Sequence, residues 1–188
     1  DTDSKLEDKY LEIDFNGGIP ISIDGVTDSL KMIDYLNDIA GKHGIGAVDH
    51  IEDRLMGIKS REIYEAPAAT VIIEAHKDLE KLVLTRNELE IKSILEQKWS
   101  WMIYSGLFVD PLVKAIDSFI DKTQERVNGT VKLKLKRGSF SIVGRKSDNS
   151  IYDQNLSSYS SSDFNQTYSK GFIEIWGLQS KFNDGENK

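Results

Sequence analysis

The sequence has 188 residues, no cysteine and a formal net charge of −7. A chain of this length can bury a core of its own as one domain, with room for an attached arm, and without cysteine it has neither a disulfide nor a thiolate metal site, which suits a reducing compartment. Lysine and arginine are scattered rather than clustered, which argues against a surface that follows nucleic-acid phosphates.

The N-terminal residues are polar and acidic. Residues 1–9, DTDSKLEDK, lack the basic and then apolar pattern of a secretory signal peptide. Apolar runs such as residues 68–73 are far too short to cross a membrane. We therefore expect a soluble, cytoplasmic protein. Because the sequence does not begin with Met and residues 1–9 have the composition of a linker, we also expect this chain to be a piece of a longer protein.

Alternating apolar and polar residues then predict a β-hairpin. The two strands are Tyr10 to Phe15 and Ile19 to Ile23, and Asn16, Gly17 and Gly18 form the turn between them. A helix follows, with Asp28 or Ser29 as its cap and Gly41 at its end. Its apolar residues recur at intervals of three and four: Leu30, Ile33, Leu36, Ile39 and Ala40.

Three further helices are predicted downstream. The second begins at Pro67, a residue favoured in the first turn of a helix. The third starts at a capping box formed by Thr85 and Glu88 and extends to Gly106. The fourth begins at Asp110, which is followed by a proline. Each of them carries an apolar stripe that can face a core.

The C-terminal third begins with a second predicted hairpin. Val131, Leu133 and Leu135 alternate with lysines, and the chain turns back after Gly138. The lysine face could bind a polyanion, but we favour a solvent-exposed face at a sheet edge. Residues 149–166 predict loop and short helix, and residues 171–178 form an apolar segment that is either helix or strand, within an arm that could dock on a partner subunit. The fold class is therefore α+β, antiparallel hairpins packed with about four helices.

The segment from Ile51 to Pro67 fits neither helical nor strand periodicity. Its apolar residues are surrounded by acids and bases, and Gly57 could turn the chain or let backbone approach a ligand. Such a segment could form a site for a small charged or zwitterionic molecule. The alternative is a solvated, ion-paired surface segment, which composition alone favours.

Several other chemical candidates are weaker. The three histidines, His43, His50 and His76, do not have metal-ligand spacing, so we interpret them as structural. The glycines of residues 43–46 follow a predicted helix rather than a strand, which favours a turn over a phosphate loop. Ser60 has no nucleophile motif around it, and we expect a hydrogen-bonding or capping serine.

Glu52 and Tyr64 are the candidate binding residues. A carboxylate accepts hydrogen bonds from an ammonium or ureido N–H, and a phenol can donate or accept, so the pair could orient a polar substrate without reacting with it. The alternative is that Glu52 pairs with Arg54 or Arg61 while Tyr64 only packs.

The residues from 43 to 76, HGIGAVDHIEDRLMGIKSREIYEAPAATVIIEAH, closely resemble the strongest sequence block of the argininosuccinate synthases. Further blocks agree in the same order: GGIPISIDG at 17–25, LTR at 84–86, YSGLF at 104–108, TQERVNGTVKLKLKRGS at 123–139, VGRKS at 143–147 and GFI at 171–173. The resemblance covers nearly the whole chain.

This resemblance implies a ligase that uses ATP to adenylate the ureido oxygen of citrulline, after which the amine of aspartate displaces AMP. The family's glycine-rich ATP loop has no counterpart here, so the chain resembles the C-terminal synthetase and multimerisation half of a homotetramer. Residues 1–9 would link it to the nucleotide-binding domain, residues 10–182 would form the synthetase domain, and residues 183–188 a polar tail. ATP, as a Mg-bound co-substrate, and aspartate would bind to the upstream half, and we expect no metal site in this chain.

The family's two citrulline contacts in this half correspond to Glu52 and Tyr64, with their spacing of twelve kept. Ala47 and Asp53 depart from the family pattern, as do residues 108–110, but these are neighbours of the contacts. The isolated chain would be inactive. The rival hypothesis is a non-enzymatic binding or assembly module that keeps the scaffold without an ATP-binding half.

Overall fold

The structure is a computed structural model that describes residues 6–157 and 165–183. The chain divides into two compact units, Asp1–Ile151 and Tyr152–Lys188. The expected linker and polar tail lie partly outside the described residues, since residues 1–5 and 184–188 are not described. None of the described helices is long and apolar enough to cross a membrane.

The first unit combines two antiparallel sheets with helices, which confirms the predicted α+β class. In chain order its elements are β1 (Lys9–Asn16), β2 (Ile19–Ile23), α1 (Ser29–Lys42), β3 (Ala47–Asp53), β4 (Lys59–Glu65), α2 (Pro67–Val83), α3 (Arg86–Tyr104), α4 (Pro111–Gln124), β5 (Gly129–Lys136) and β6 (Ser139–Lys146). One sheet has the order β2-β1-β5-β6, and the other contains only β3 and β4.

The hydrophobic core lies between the four-stranded sheet and helices α1 and α2. Alternate residues of β1 and β5 face the helices, as period-two burial requires, and the apolar stripe of α2 packs on them. The fully buried residues include Leu11, Ile13, Leu36, Val71, Leu79, Val131, Leu133 and Leu135. Both predicted hairpins of this sheet and the helices that cover it are therefore confirmed.

The N-terminal caps of α1 and α3 agree with the sequence prediction, whereas the C-terminal ends of these helices differ from it. Asp28 caps α1 by accepting a hydrogen bond from the Lys31 amide at 3.0 Å, and Thr85 and Glu88 form the predicted capping box of α3. Helix α1 passes the expected stop at Gly41, because its chain reversal occurs at Gly44, where φ is +72°. Helix α3, by contrast, ends at Tyr104, before the expected end at residue 106.

The lysine face was predicted at a sheet edge, and this is wrong. Strand β5 is an inner strand, and its lysines point to solvent opposite acidic residues near the start of the chain. Lys132 pairs with Glu12 at 3.0 Å and Lys134 pairs with Asp8 at 2.7 Å. Cross-strand charge pairing therefore explains the alternation better than protection of an edge does.

The second unit contains only short helices among its described residues. These are α5 (Gln154–Ser157), α6 (Tyr168–Trp176) and α7 (Leu178–Asn183). The apolar segment at 171–178 is thus helical, with a break at Gly177. Residues 149–166 were predicted as loop and short helix, and α5 agrees with this, but residues 158–164 lie outside the described part of the chain.

Candidate functional site

The segment singled out by its mixed charge forms the β3–β4 hairpin. Every residue of both strands is exposed or only partly buried. Because neither face of the hairpin lies on the core, no apolar periodicity is needed, and this explains why the sequence pattern fits neither template. The tip turns at Gly57, where φ is +79°, and is closed by hydrogen bonds from the Gly57 amide to Arg54 and from the Arg54 amide to Ile58.

Glu52 and Tyr64 lie on the same face of this hairpin. In the strand register Glu52 is opposite Ser60, and Tyr64, four positions beyond Ser60, projects to the same side. The Tyr64 hydroxyl donates a hydrogen bond to Oε2 of Glu52 at 3.0 Å, passing over the cross-strand pair of His50 and Glu62. The structure therefore brings the two predicted binding residues into direct contact.

Both side chains remain accessible to a solute. The Glu52 side chain is 26% exposed and Tyr64 is 46% exposed. The hydrogen bond to Glu52 raises the pKa of the Tyr64 phenol above its usual 10.0, and desolvation and the nearby negative charge of Glu52 and Glu62 act in the same direction. Tyr64 therefore stays protonated near neutral pH and acts as a donor to Glu52.

The two arginines nearby do not neutralise Glu52. Arg54 lies 3.7 Å from Glu62, and Arg61 makes a bidentate pair with Asp49 on the opposite face, at 2.8 and 2.5 Å. That pairing holds the pKa of the Asp49 carboxyl below its usual range. Within the described residues, Oε1 of Glu52 has no hydrogen-bond donor. It is left available to accept one from a bound molecule.

The expectation for Ser60 is wrong. Its hydroxyl is buried and has no hydrogen-bond partner among the described residues. Ser60 lies inside a strand, so it has no helix to cap, and it sits opposite Glu52, whose Oε2 is already engaged by Tyr64.

Two of the other candidates, His43 and His76, make contacts within the fold. His43 is buried at the end of α1, with Nδ1 2.8 Å from the Ile39 carbonyl oxygen. His76 lies 2.7 Å from the side-chain oxygen of Gln124. The glycines after His43 form a turn, as predicted. No group of three or more metal-ligating side chains occurs in the parts of the chain that the structure describes.

Sequence reasoning missed two polar contacts. The Tyr104 hydroxyl at the end of α3 donates to the Asp53 carbonyl at 3.2 Å, which connects a helix to the tip of the hairpin. Lys92 is 3% exposed and pairs with Glu80 and Glu96. Tyr104 is the first residue of the YSGLF block that resembles the family, and this resemblance was the sequence signal that could have drawn attention to it. Nothing in the local sequence pattern marks Lys92 as buried.

Comparison with known proteins identifies the family. The family model described as the arginosuccinate synthase C-terminal domain matches residues 1–183. The chain is 51% identical over 182 residues to the argininosuccinate synthase of Pyrococcus furiosus, which covers 94% of this chain and 44% of that protein. The corresponding enzyme of Listeria monocytogenes serovar 1/2a is 53% identical over 175 residues, 92% of this chain and 43% of the relative.

The Oceanobacillus iheyensis argininosuccinate synthase is 49% identical over 187 residues, which is 98% of this chain and 45% of the relative. The chain thus spans less than half of the length of these relatives. Because the family model matches nearly the whole length of this chain, the chain belongs to the argininosuccinate synthase family and corresponds to that family's C-terminal domain.

Proposed function

We propose that this chain is the C-terminal synthetase portion of an argininosuccinate synthase. The whole enzyme would ligate citrulline and aspartate in arginine biosynthesis, with ATP converted to AMP and pyrophosphate. The family match and the names of the relatives support this proposal. Residues 1–9 would join it to a nucleotide-binding domain, residues 10–182 would form the synthetase domain, and residues 183–188 would be a polar tail.

Within that enzyme, Glu52 and Tyr64 would bind citrulline. The observation that carries this proposal is the 3.0 Å hydrogen bond between them on an accessible face of the hairpin. Tyr64 fixes one carboxylate oxygen of Glu52, and the other can accept a hydrogen bond from the ammonium or a ureido N–H of the substrate. Neither residue has to act as an acid or base.

Their contribution to catalysis would be orientation. The ureido oxygen of citrulline must approach the α-phosphorus of ATP in line with the departing pyrophosphate. Holding the oxygen in that geometry lowers the barrier, because translational and rotational freedom is lost on binding rather than in the reaction step. A preorganised carboxylate serves this purpose better than a mobile one, and Tyr64 supplies the preorganisation.

The remaining functions would lie outside this hairpin. Mg-bound ATP and aspartate would bind to the upstream half of the protein, so residues 1–188 alone would be inactive. The protein would be cytoplasmic and would assemble as a homotetramer. Helix α6 supports self-association, since Phe172, Ile173 and Trp176 are at least 60% exposed, and apolar side chains left in water in this way commonly mark an interface.

The test is Glu52→Gln in the full-length protein, with steady-state kinetics for each substrate. Loss of a charged hydrogen bond is expected to raise the citrulline KM by about 10-fold or more, while the ATP KM changes little. The matched control is Glu65→Gln, which makes the same change at an exposed residue on the opposite face of the same hairpin. Equal loss for citrulline and ATP, or absence of any citrulline-dependent turnover in the unmutated protein, would overturn the proposal; the second result would favour a binding or assembly module.

A further inference from the structure

The β3–β4 hairpin is not held by the hydrophobic core. None of its residues is buried, and its two strands pack chiefly on each other. An isolated two-stranded hairpin is only marginally stable in water. The orientation of Glu52 relative to the rest of the molecule must therefore depend on the few places where the hairpin is attached.

One attachment is at the base of the hairpin. The Ala66 amide donates to the Gly46 carbonyl at 3.0 Å, and Gly46 is packed so closely that a Cβ there would lie 2.5 Å from Cα of Pro67. The base is therefore well fixed. Glu52 lies near the far end, and at about 3.4 Å per residue it is about 17 Å along the strand from Ala47.

The second attachment is at the tip. Tyr104, the last residue of α3, donates its hydroxyl hydrogen to the carbonyl oxygen of Asp53 at 3.2 Å. Across the described parts of the chain, this is the only hydrogen bond from residues 47–65 to a residue beyond the hairpin and its base. Asp53 is the direct neighbour of Glu52, so the bond acts next to the candidate substrate contact.

We propose that Tyr104 is a positioning residue that holds the tip of the β3–β4 hairpin and thereby fixes Glu52 for substrate. Without the tether, a rotation of about 3° at the base would displace Glu52 by about 1 Å, given the strand length above. Displacements of that size at a binding group can cost up to about 100-fold in rate. Tyr104 itself need not touch the substrate. This inference rests on the proposed function of Glu52.

The experiment compares Tyr104→Phe with the unmutated full-length protein. The substitution keeps the ring and removes only the hydroxyl. Loss of one hydrogen bond is expected to raise the citrulline KM by about three- to tenfold, with the ATP KM within about twofold. Amide hydrogen exchange in β3 and β4 should become faster, because the tip is released. The matched control is Tyr35→Phe on α1, which removes a tyrosine hydrogen bond to Asp24 and should leave the citrulline KM unchanged.

A double substitution separates positioning from general stability. If Tyr104 acts through Glu52, then Tyr104→Phe should have little further effect on the citrulline KM in a Glu52→Gln background. Full additivity would overturn the proposal, and so would an unchanged citrulline KM for Tyr104→Phe alongside a raised one for Glu52→Gln. If Glu52→Gln itself leaves the citrulline KM unchanged, the proposed function fails and the positioning role fails with it.

Discussion

Nζ of Lys92 lies 2.9 Å from Oε1 of Glu80, and both residues are less than 5% exposed. Oε1 of Glu80 also accepts a hydrogen bond from the side-chain amide of Gln124 at 2.7 Å, and Gln124 contacts His76. Burial lowers the pKa of Lys92, but hydrogen bonds to Glu96 and Glu80 outweigh it, so the net shift is upward. This network of hydrogen bonds and ion pairs connects helices α2, α3 and α4.

Lys92→Met should destabilise the protein strongly. It leaves the carboxylate of Glu80 buried without its cation, and breaking a buried pair in this way costs about 3–5 kcal/mol. The free energy of unfolding from urea denaturation measures the change. Adding Glu80→Gln should recover much of the loss, because the uncompensated charge is then removed as well.

The matched control for that experiment is Lys77→Met. Lys77 pairs with Glu74 at 3.4 Å, but both side chains are more than half exposed. Exposed pairs contribute about 0–1 kcal/mol, so this variant should be close to the unmutated protein. A loss for Lys92→Met as small as that of the control would show that Lys92 carries no net stabilisation.

Much of the main sheet and its helices could be predicted from the sequence, because burial there follows a regular period. The strands of β1 and β5 alternate, α2 and α4 carry apolar stripes, and Asp28 and Thr85 are residues that cap helices. The C-terminal ends of the helices could be predicted less accurately. The chain reverses after α1 at Gly44, which has a positive φ, but from the sequence alone Gly41 was an equally good candidate for this position.

The β3–β4 hairpin could not be assigned from its pattern, because neither face is buried. The carboxylate of Glu52 and the phenol of Tyr64, twelve residues apart, could nevertheless be singled out from the sequence, and the antiparallel register brings them to one face of the hairpin. The hydrogen bond from Tyr104 to Asp53 could not be predicted from the sequence, because it joins residues 51 positions apart through a backbone carbonyl, which has no sequence signal.

The raised pKa of Tyr35 predicts that the folding stability falls at alkaline pH. Burial, together with the hydrogen bond to Asp24, raises the pKa of Tyr35 to about 12. Because the folded pKa exceeds the unfolded one, the folded state binds the additional proton, so this contribution is complete below about pH 10 and is lost as the pH rises toward 12. Urea denaturation of the unmutated protein and of Tyr35→Phe at several pH values measures it.

The comparison with Tyr35→Phe removes the effects of other groups that titrate at alkaline pH. The stability difference between the two proteins should be constant from about pH 7 to pH 9 and should shrink between about pH 10 and pH 12. A difference that stays constant across the whole range would mean that the phenol titrates equally in the folded and unfolded states.

Gly46 and Gly57 offer a matched test of how the hairpin is anchored. Both have positive φ, +90° and +79°, so alanine is strained at either position. At Gly57 a Cβ would meet nothing within 4 Å, and Gly57→Ala should cost only the left-handed backbone term of about 1–2 kcal/mol. At Gly46 the Cβ would lie 2.5 Å from Cα of Pro67, so the main chain itself would have to shift.

Gly46→Ala should therefore cost clearly more, about 3 kcal/mol or greater, because overpacking is added to the backbone strain. Relief of the clash would require the base of the hairpin to move away from the start of α2, so amide exchange in β3 and β4 should also increase. Urea denaturation of both variants gives the comparison. Equal costs at the two glycines would mean that the base yields readily, and the stiffness that the hairpin requires would then have to come from its tip.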